Sequence, residues 1–428
     1  MTAPLRTVIR GARVLDPASG LDGARDVWLA GGRIAAIGAA PAGFQAEHTV
    51  EAQGLLLLPG LVDLAARLRE PGEEHKADME SETRAAAAWG ITTLCLPPDT
   101  QPVADTPAVL ELVRRRAKAS GHAMVYCLGA LTQGLAGEQL SEMAALKAAG
   151  APAVGQARQP IRDARVLRHA LEYAASHDLT VFLDAEDAAL AAGGCAHEGA
   201  VAARLGLPGV PVAAETAALA QALTLADETG TRLHICRLSS ARGVDLVALA
   251  QSRGVAVSAD VAMHQLHLTD EALSGFNAQA HVQPPLRTAA DRDALREAVR
   301  AGVIGAICSD HQPHEPDAKL APFPETEPGI SAIETILPLG LRLMEEGALD
   351  LTTLVARLTV GPADVLRLKA GRLAPGGSAD LFLLDPGADW TLEPAALRSR
   401  GRNTPFAGWV FKGQVRATWF EGRQVHGA

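Results

Sequence analysis

The side chains able to do chemistry gather in a few short stretches. Asp310, His311 and His314 stand together in SDHQPH, and His264 and His267 lie in MHQLH. Mixed carboxylate and imidazole donors are what a divalent transition metal takes as ligands, and Asp310 alone could act as general acid or base. The spacing argues against a metal. No His-x-His occurs among the 13 histidines, and His-x-x-His on a loop has no fixed geometry, so surface or hydrogen-bonded histidines are the better account. Arg67, Arg69 and Arg237 cannot help a cation, because arginine stays protonated and has no lone pair to offer. They can grip carboxylates. Cys95, Cys127, Cys195, Cys236 and Cys308 form no CxxC pair, and three of them sit in apolar runs, which makes reduced core residues the expectation.

Positioning these residues falls to two kinds of segment. Residues 7–16 and 26–37 are short β-branched runs, the second folded at Gly31-Gly32, which is a hairpin pattern. Residues 379–385 and 408–425 repeat it, with turns expected at Lys412-Gly413 and Glu421-Gly422. Ends this short are small for separate domains, so residues 1–55 and 365–428 are expected to pair into one composite β-sandwich around an inserted 56–364 domain. The insert alternates strands and helices. Eight apolar runs qualify as strands, at 55–64, 91–96, 123–128, 151–155, 180–185, 232–238, 255–261 and 303–310. Amphipathic segments separate most of them, one opening with Thr106 as N-cap and Pro107 at the first helical position. The fold class expected is therefore α/β, a (β/α)8 TIM-type barrel plus the sandwich, with chemistry at the C-terminal ends of the strands.

The segment LPGLVDLAARLREPGEEHKADMESETRAAAAWGITTLCLPP (58–98) resembles the start of a dihydroorotase barrel, in the amidohydrolase superfamily. HICRLSSARG (234–243), VQPPLR (282–287), SDHQPH (309–314), APFPETEPGISAIET (321–335), GRLAPGGSADLFLLDP and NTPFAGWVFKGQV continue the resemblance in order. It implies an enzyme that opens or closes the cyclic amide of dihydroorotate and carbamoyl aspartate with zinc-bound hydroxide. The ligand positions depart from that pattern. Where the family has His-x-His after the first barrel strand, this chain has Ala65-Ala66-Arg67; the fourth-strand position carries Gln156 and Ala157. Asp184 replaces the fifth-strand histidine and Arg237 the sixth-strand one. Only Asp310, the family's metal ligand and acid/base, keeps its identity.

Arg69 and His314 match positions that grip the substrate carboxylate in the family, whereas the asparagine expected near Pro98 is replaced. A partial anion pocket and a simple pairing of Arg69 with an acidic neighbour are both open. The departures resemble a subgroup of inactive dihydroorotase-like chains that assemble with the catalytic chain of aspartate carbamoyltransferase. The resemblance implies a non-catalytic structural subunit of pyrimidine biosynthesis, in an oligomer and with no cofactor. The alternative is an active dihydroorotase with relocated zinc ligands, or a metal-free hydrolase using Asp310. Losing two zinc ions leaves Asp310 and Asp184 uncompensated, so Arg237 is expected to pair with Asp184 and Arg67 to approach Asp310.

Composition bounds the rest. With 428 residues and 48% hydrophobic content, core material is ample. A net charge of -10 and 4% aromatics exclude the electrostatic footprint of a nucleic-acid binder. The Ala-rich segments are broken by charges well before membrane-spanning length, and a soluble, cytoplasmic protein is expected.

Overall fold

The computed structural model describes residues 5–427. Both ends of the chain enter one eight-stranded sheet. Thr7–Asp16, Leu21–Ala30, Arg33–Ile37, His48–Glu51 and Leu56–Pro59 come from the N-terminal side, and Leu381–Thr391, Val410–Phe420 and Arg423–His426 from the C-terminal side. The two halves join where Leu381–Leu384 runs antiparallel to Leu56–Pro59. At the far edge the Ile34 amide donates to the Gly377 carbonyl (3.0 Å) and the Gly376 amide to the Ile34 carbonyl (2.8 Å), so the sheet folds back on itself as a sandwich. Ile9, Val14, Leu29, Leu57, Leu383 and Trp419 fill its core. Gly31 and Gly32 both have positive φ, 57° and 78°, as a two-residue hairpin turn requires. Lys412-Gly413 is not the turn expected there. The strand runs through it, and Gly413 is needed because a Cβ would stand 2.3 Å from Leu341 Cδ1.

The insert is a closed parallel barrel. Its strands are Leu61–Asp63, Ile91–Leu96, Met124–Cys127 continuing into Gly129–Ala130, Ala153–Gly155, Thr180–Asp184, Arg232–Cys236, Val257–Ala262 and Ala306–Cys308. Each pairs with the next, and the ring closes where the Arg67 amide donates to the His311 carbonyl (2.9 Å) and the His311 amide to the Ala65 carbonyl (3.1 Å). Leu64, Cys95, Phe182, Cys236 and Cys308 pack its interior. All five cysteines are free and four are buried. Helices Pro107–Ser120, Ala164–Ser176, Val212–Thr229 and Ala289–Ala301 lie where amphipathic runs place them, the first with Thr106 at the N-cap position, though without a side-chain capping bond, and Pro107 at its start. Among the described residues, no helix is long and apolar enough to cross a membrane.

Two boundaries differ from expectation. Residues 55–64 form two strands, not one, and the domain division falls at Gly60, where a Cβ would meet Thr92 Oγ1 at 2.0 Å. The stretch after Thr391 also leaves the sandwich and returns to the barrel. There the amides of Arg398 and Ser399 donate to Glu334 (2.7 and 2.9 Å) and that of Arg400 to Glu82 (3.0 Å).

Barrel and sandwich meet at Gly90, whose φ is 77° and whose added Cβ would lie 2.6 Å from the fully buried Phe382 ring. Gly90→Ala combines left-handed strain with overpacking and should cost about 2–4 kcal/mol in urea denaturation. Adding Phe382→Leu should relieve only the packing part, and a neutral Gly90→Ala would show that the junction is not tight.

Candidate functional site at the barrel mouth

Six barrel strands each end in one charged side chain, and the signs alternate around the ring. Arg67 follows the first strand, Asp99 the second, Arg158 the fourth, Asp184 the fifth, Arg237 the sixth and Asp310 the eighth. Arg67, Arg237 and Asp310 are buried. Arg158 grips Asp310 with one nitrogen, Nη2 lying 3.1 and 2.8 Å from the two carboxylate oxygens, while its Nη1 donates to Gln312 (3.1 Å). Arg237 Nη2 donates to Asp184, the pairing expected, and its Nε lies 3.6 Å from Asp310 Oδ1. Arg67 does approach Asp310, at 3.7 Å, but its hydrogen bond goes to Asp99 (Nε to Oδ2, 2.9 Å). Arg67 is thus near Asp310 without being its hydrogen-bonded partner. The closest cation is Arg158, two residues beyond Gln156, and neither it nor Asp99, directly after Pro98, is among the residues expected at the site.

Backbone geometry aims these groups. Arg237 and Asp310 sit in the left-handed region at φ 53° and 48°, and Ala157, just before Arg158, at 50°. Non-glycine residues hold such conformations only where surroundings enforce them. For Arg237 the enforcer is Asp260, which accepts its amide at 2.6 Å and is itself held by His234 Nε2 at 2.9 Å. His234, Cys236 and Asp260 form the one grouping of three or more potential metal donors found among the described residues. It lies beneath the mouth, with His234 and Asp260 already bonded to each other.

Apart from His264, the histidines and the remaining polar candidates are engaged separately. His311 Nε2 meets Glu82 (2.8 Å) while its Nδ1 accepts the Ala332 amide (3.0 Å), and His267 Nε2 meets the Leu339 carbonyl (3.0 Å). His264 is fully desolvated, which pushes its pKa down to about 4. Arg69 donates to Glu73 (2.7 Å) and to the Pro313 carbonyl (3.0 Å), so it pairs with an acidic neighbour, and its Nη2 lies 3.1 Å from His314 Nε2. Burial, with Arg69 beside it, drives His314 down to about 2. Gln156 is bonded to Thr132 and the Leu135 carbonyl (2.9 and 3.0 Å), and Ala65 lies in the barrel core.

Electrostatics follow from the ring. Burial would raise the Asp310 carboxyl, but Arg158, Arg237 and Arg67 outweigh it and hold it below the ordinary range; Asp99 behaves likewise beside Arg67. Asp184 goes the other way, since burial exceeds the pull of Arg237. Desolvation lowers Arg158 to about 10, which leaves it cationic at neutral pH. A cavity of about 30 Å3 between Arg158, Asp184, Arg237 and Gln283 has room for about two waters. The wider groove of about 590 Å3 beyond it is lined largely by alanines and is not bordered by Asp310.

A β-sandwich built from both chain ends around a (β/α)8 barrel, with a charged site at the strand ends, is the architecture of the cyclic amidohydrolases. The L-hydantoinase (dihydropyrimidinase) of Arthrobacter aurescens superposes with a TM-score of 0.87 over 99% of this chain and 96% of its own, at 25% identity. Residues 54–242 match the dihydro-orotase-like family and residues 186–426 the amidohydrolase family. A dihydroorotase-like protein of Pseudomonas aeruginosa is 56% identical over 98% of this chain and 99% of its own length. A dihydroorotase of Syntrophotalea carbinolica is 43% identical over 98% of each. The chain belongs to the dihydroorotase-like family of amidohydrolases.

Arg158→Ala would strand the Asp310 charge in a buried pocket and should cost about 3–5 kcal/mol in denaturant unfolding. Combining it with Asp310→Asn should cost less than the two changes summed, and strict additivity would sink the coupling. Acid supplies a second check. Because Asp310 and Asp99 titrate below their unfolded values, the stability they contribute is present above the ordinary carboxylate range and lost as pH falls through their folded values. Asp310→Asn should therefore flatten the stability profile below about pH 4.

Proposed function

We propose that this chain is a non-catalytic, dihydroorotase-like structural subunit of pyrimidine biosynthesis that assembles with the catalytic chain of aspartate carbamoyltransferase. The observation that carries the non-catalytic part is the alternating ring. Three guanidinium groups stand where a dinuclear zinc centre would need lone pairs, and Asp310 and Asp184 are already engaged by them. This donor set does not fit two zinc ions. A cation placed there would face Arg67, Arg158 and Arg237 at close range, and of the four histidines in SDHQPH and MHQLH only His264 acts on Asp310, too few donors for two metals. Nor does Asp310 suit metal-free hydrolysis. Held below the ordinary carboxylate range by three arginines, it is a weak base and has no proton to give as an acid.

The partner is proposed from the subgroup resemblance. It fits a barrel mouth whose strand ends are occupied by ion-paired arginines and carboxylates.

Purified protein should show no cyclisation of carbamoyl aspartate above an Asp310→Ala control, with or without added zinc, and EDTA should leave its melting temperature unchanged. In cells lacking the gene, aspartate carbamoyltransferase assembly should weaken and be restored equally by the unaltered chain and by Asp310→Ala. Zinc-dependent turnover abolished by Asp310→Ala would establish an enzyme instead.

A further inference from the structure

We propose that the face around the barrel mouth is a protein-docking surface, and that its occupant is a basic protein surface presenting an apolar side chain. The inference rests on the structural-subunit reading and names which face of this chain meets the partner.

Three loops surround the closed ring, after the fifth, seventh and eighth strands, and each carries a large apolar side chain into solvent: Leu190, Phe276 and Leu320, at 45%, 52% and 78% exposure. The loops are tied to each other. The Gly329 amide donates to the His281 carbonyl (2.8 Å), His281 Nδ1 lies 2.7 Å from Thr326 Oγ1, and the His281 ring stacks on Phe323 at 4.7 Å between centroids. Between them is a depression of about 300 Å3 lined by Val210, Val282 and Pro285 together with Glu186, His281 and Gln283. Exposed apolar side chains on loops that border a hollow of mixed apolar and polar lining suit an interface, where one inserted side chain contributes most.

Charge selects the occupant. Residues 185–198, 265–283 and 312–328 contain nine acidic side chains and one basic one, Lys319. Lys319 is buried and spends its ammonium on the Glu327 carbonyl. Two of the acids meet cations from outside the loops, Glu327 with Lys76 (3.1 Å) and Glu271 with Arg204 (2.9 Å). Asp317 and Glu325, both exposed, flank Leu320 without an ion pair among the described residues. The ring beneath is neutral, with three charges of each sign. The face therefore presents a concentrated negative potential, and a surface of opposite sign is what it attracts and orients.

The test uses the full chain and the aspartate carbamoyltransferase catalytic chain of the same genome, mixed at several salt concentrations and measured by calorimetry and light scattering. The unaltered chain should bind, more weakly as salt rises. Phe276→Ser with Leu320→Ser, and separately Asp317→Lys with Glu325→Lys, should each raise Kd roughly tenfold or more, the second also flattening the salt dependence. Leu249→Ser and Val410→Ser, exposed apolar positions elsewhere, should leave Kd unchanged. Binding by both mouth variants equal to that of the unaltered chain overturns the docking face and leaves the structural-subunit reading standing. Failure of the unaltered chain to bind overturns both. Self-association that depends on Leu320 would overturn the choice of occupant, making it a second copy of this chain.

Discussion

A carboxylate buried at the end of a barrel strand must be compensated, and much of the site follows from how Asp310 is. Fully desolvated and 1% exposed, it would be costly as an unpaired ion and would take up a proton. Three guanidinium groups surround it instead, and because Arg67 and Arg237 are buried too, each of these needs a carboxylate of its own. Asp99 answers Arg67 and Asp184 answers Arg237. The alternation of sign around six strand ends is the arrangement that leaves every charge between opposites, and the ring itself carries no net charge. Arginine suits it better than lysine, since a planar fork spans two carboxylates at once.

Such a ring is held by geometry far from the charges. Arg237 stays in a left-handed conformation because Asp260 takes its amide, and Asp260 is fixed by His234, whose Nδ1 in turn meets Ser258 (2.8 Å). Asp63 does the same on the other side, accepting the amide of Ser309 at 2.9 Å and that of Ala65 at 3.3 Å, which binds the eighth strand to the first next to Asp310. These polar braces are buried and hydrogen-bonded within the barrel wall. They act through backbone amides, so they hold the strand ends whatever side chains those ends carry.

Much of this was legible in the residues themselves. Period-two ends and a strand-helix middle specify the sandwich and the barrel, and Thr106 with Pro107 marks a helix start correctly. The partners of Asp310 were harder to see. Arg67 and Arg237 occupy ligand positions and invite attention, whereas Arg158 stands two residues beyond Gln156 and reaches Asp310 only because Ala157 turns the chain through φ 50°. That turn has no signature in an alanine. Asp99 is similar: next to two prolines it reads as loop, and only closure of the ring brings it against Arg67. Residues 55–64 read as one apolar strand although Pro59-Gly60 interrupts the leucines, because the change of sheet at Gly60 is set by contact with Thr92, 32 residues on in sequence and adjacent only in the fold.

The neutrality of the ring also decides what a neighbour would feel. Charges that alternate over a few ångströms cancel within a Debye length, so the ring contributes little field beyond the mouth despite its six ions. The field of that face is left to the loops, whose acids are mostly exposed and whose single lysine is turned inward. Three positive and three negative charges lie beneath them, so the loops' own acids set the sign of that face: an acidic crown stands on a rigid, ion-paired base whose charges cancel.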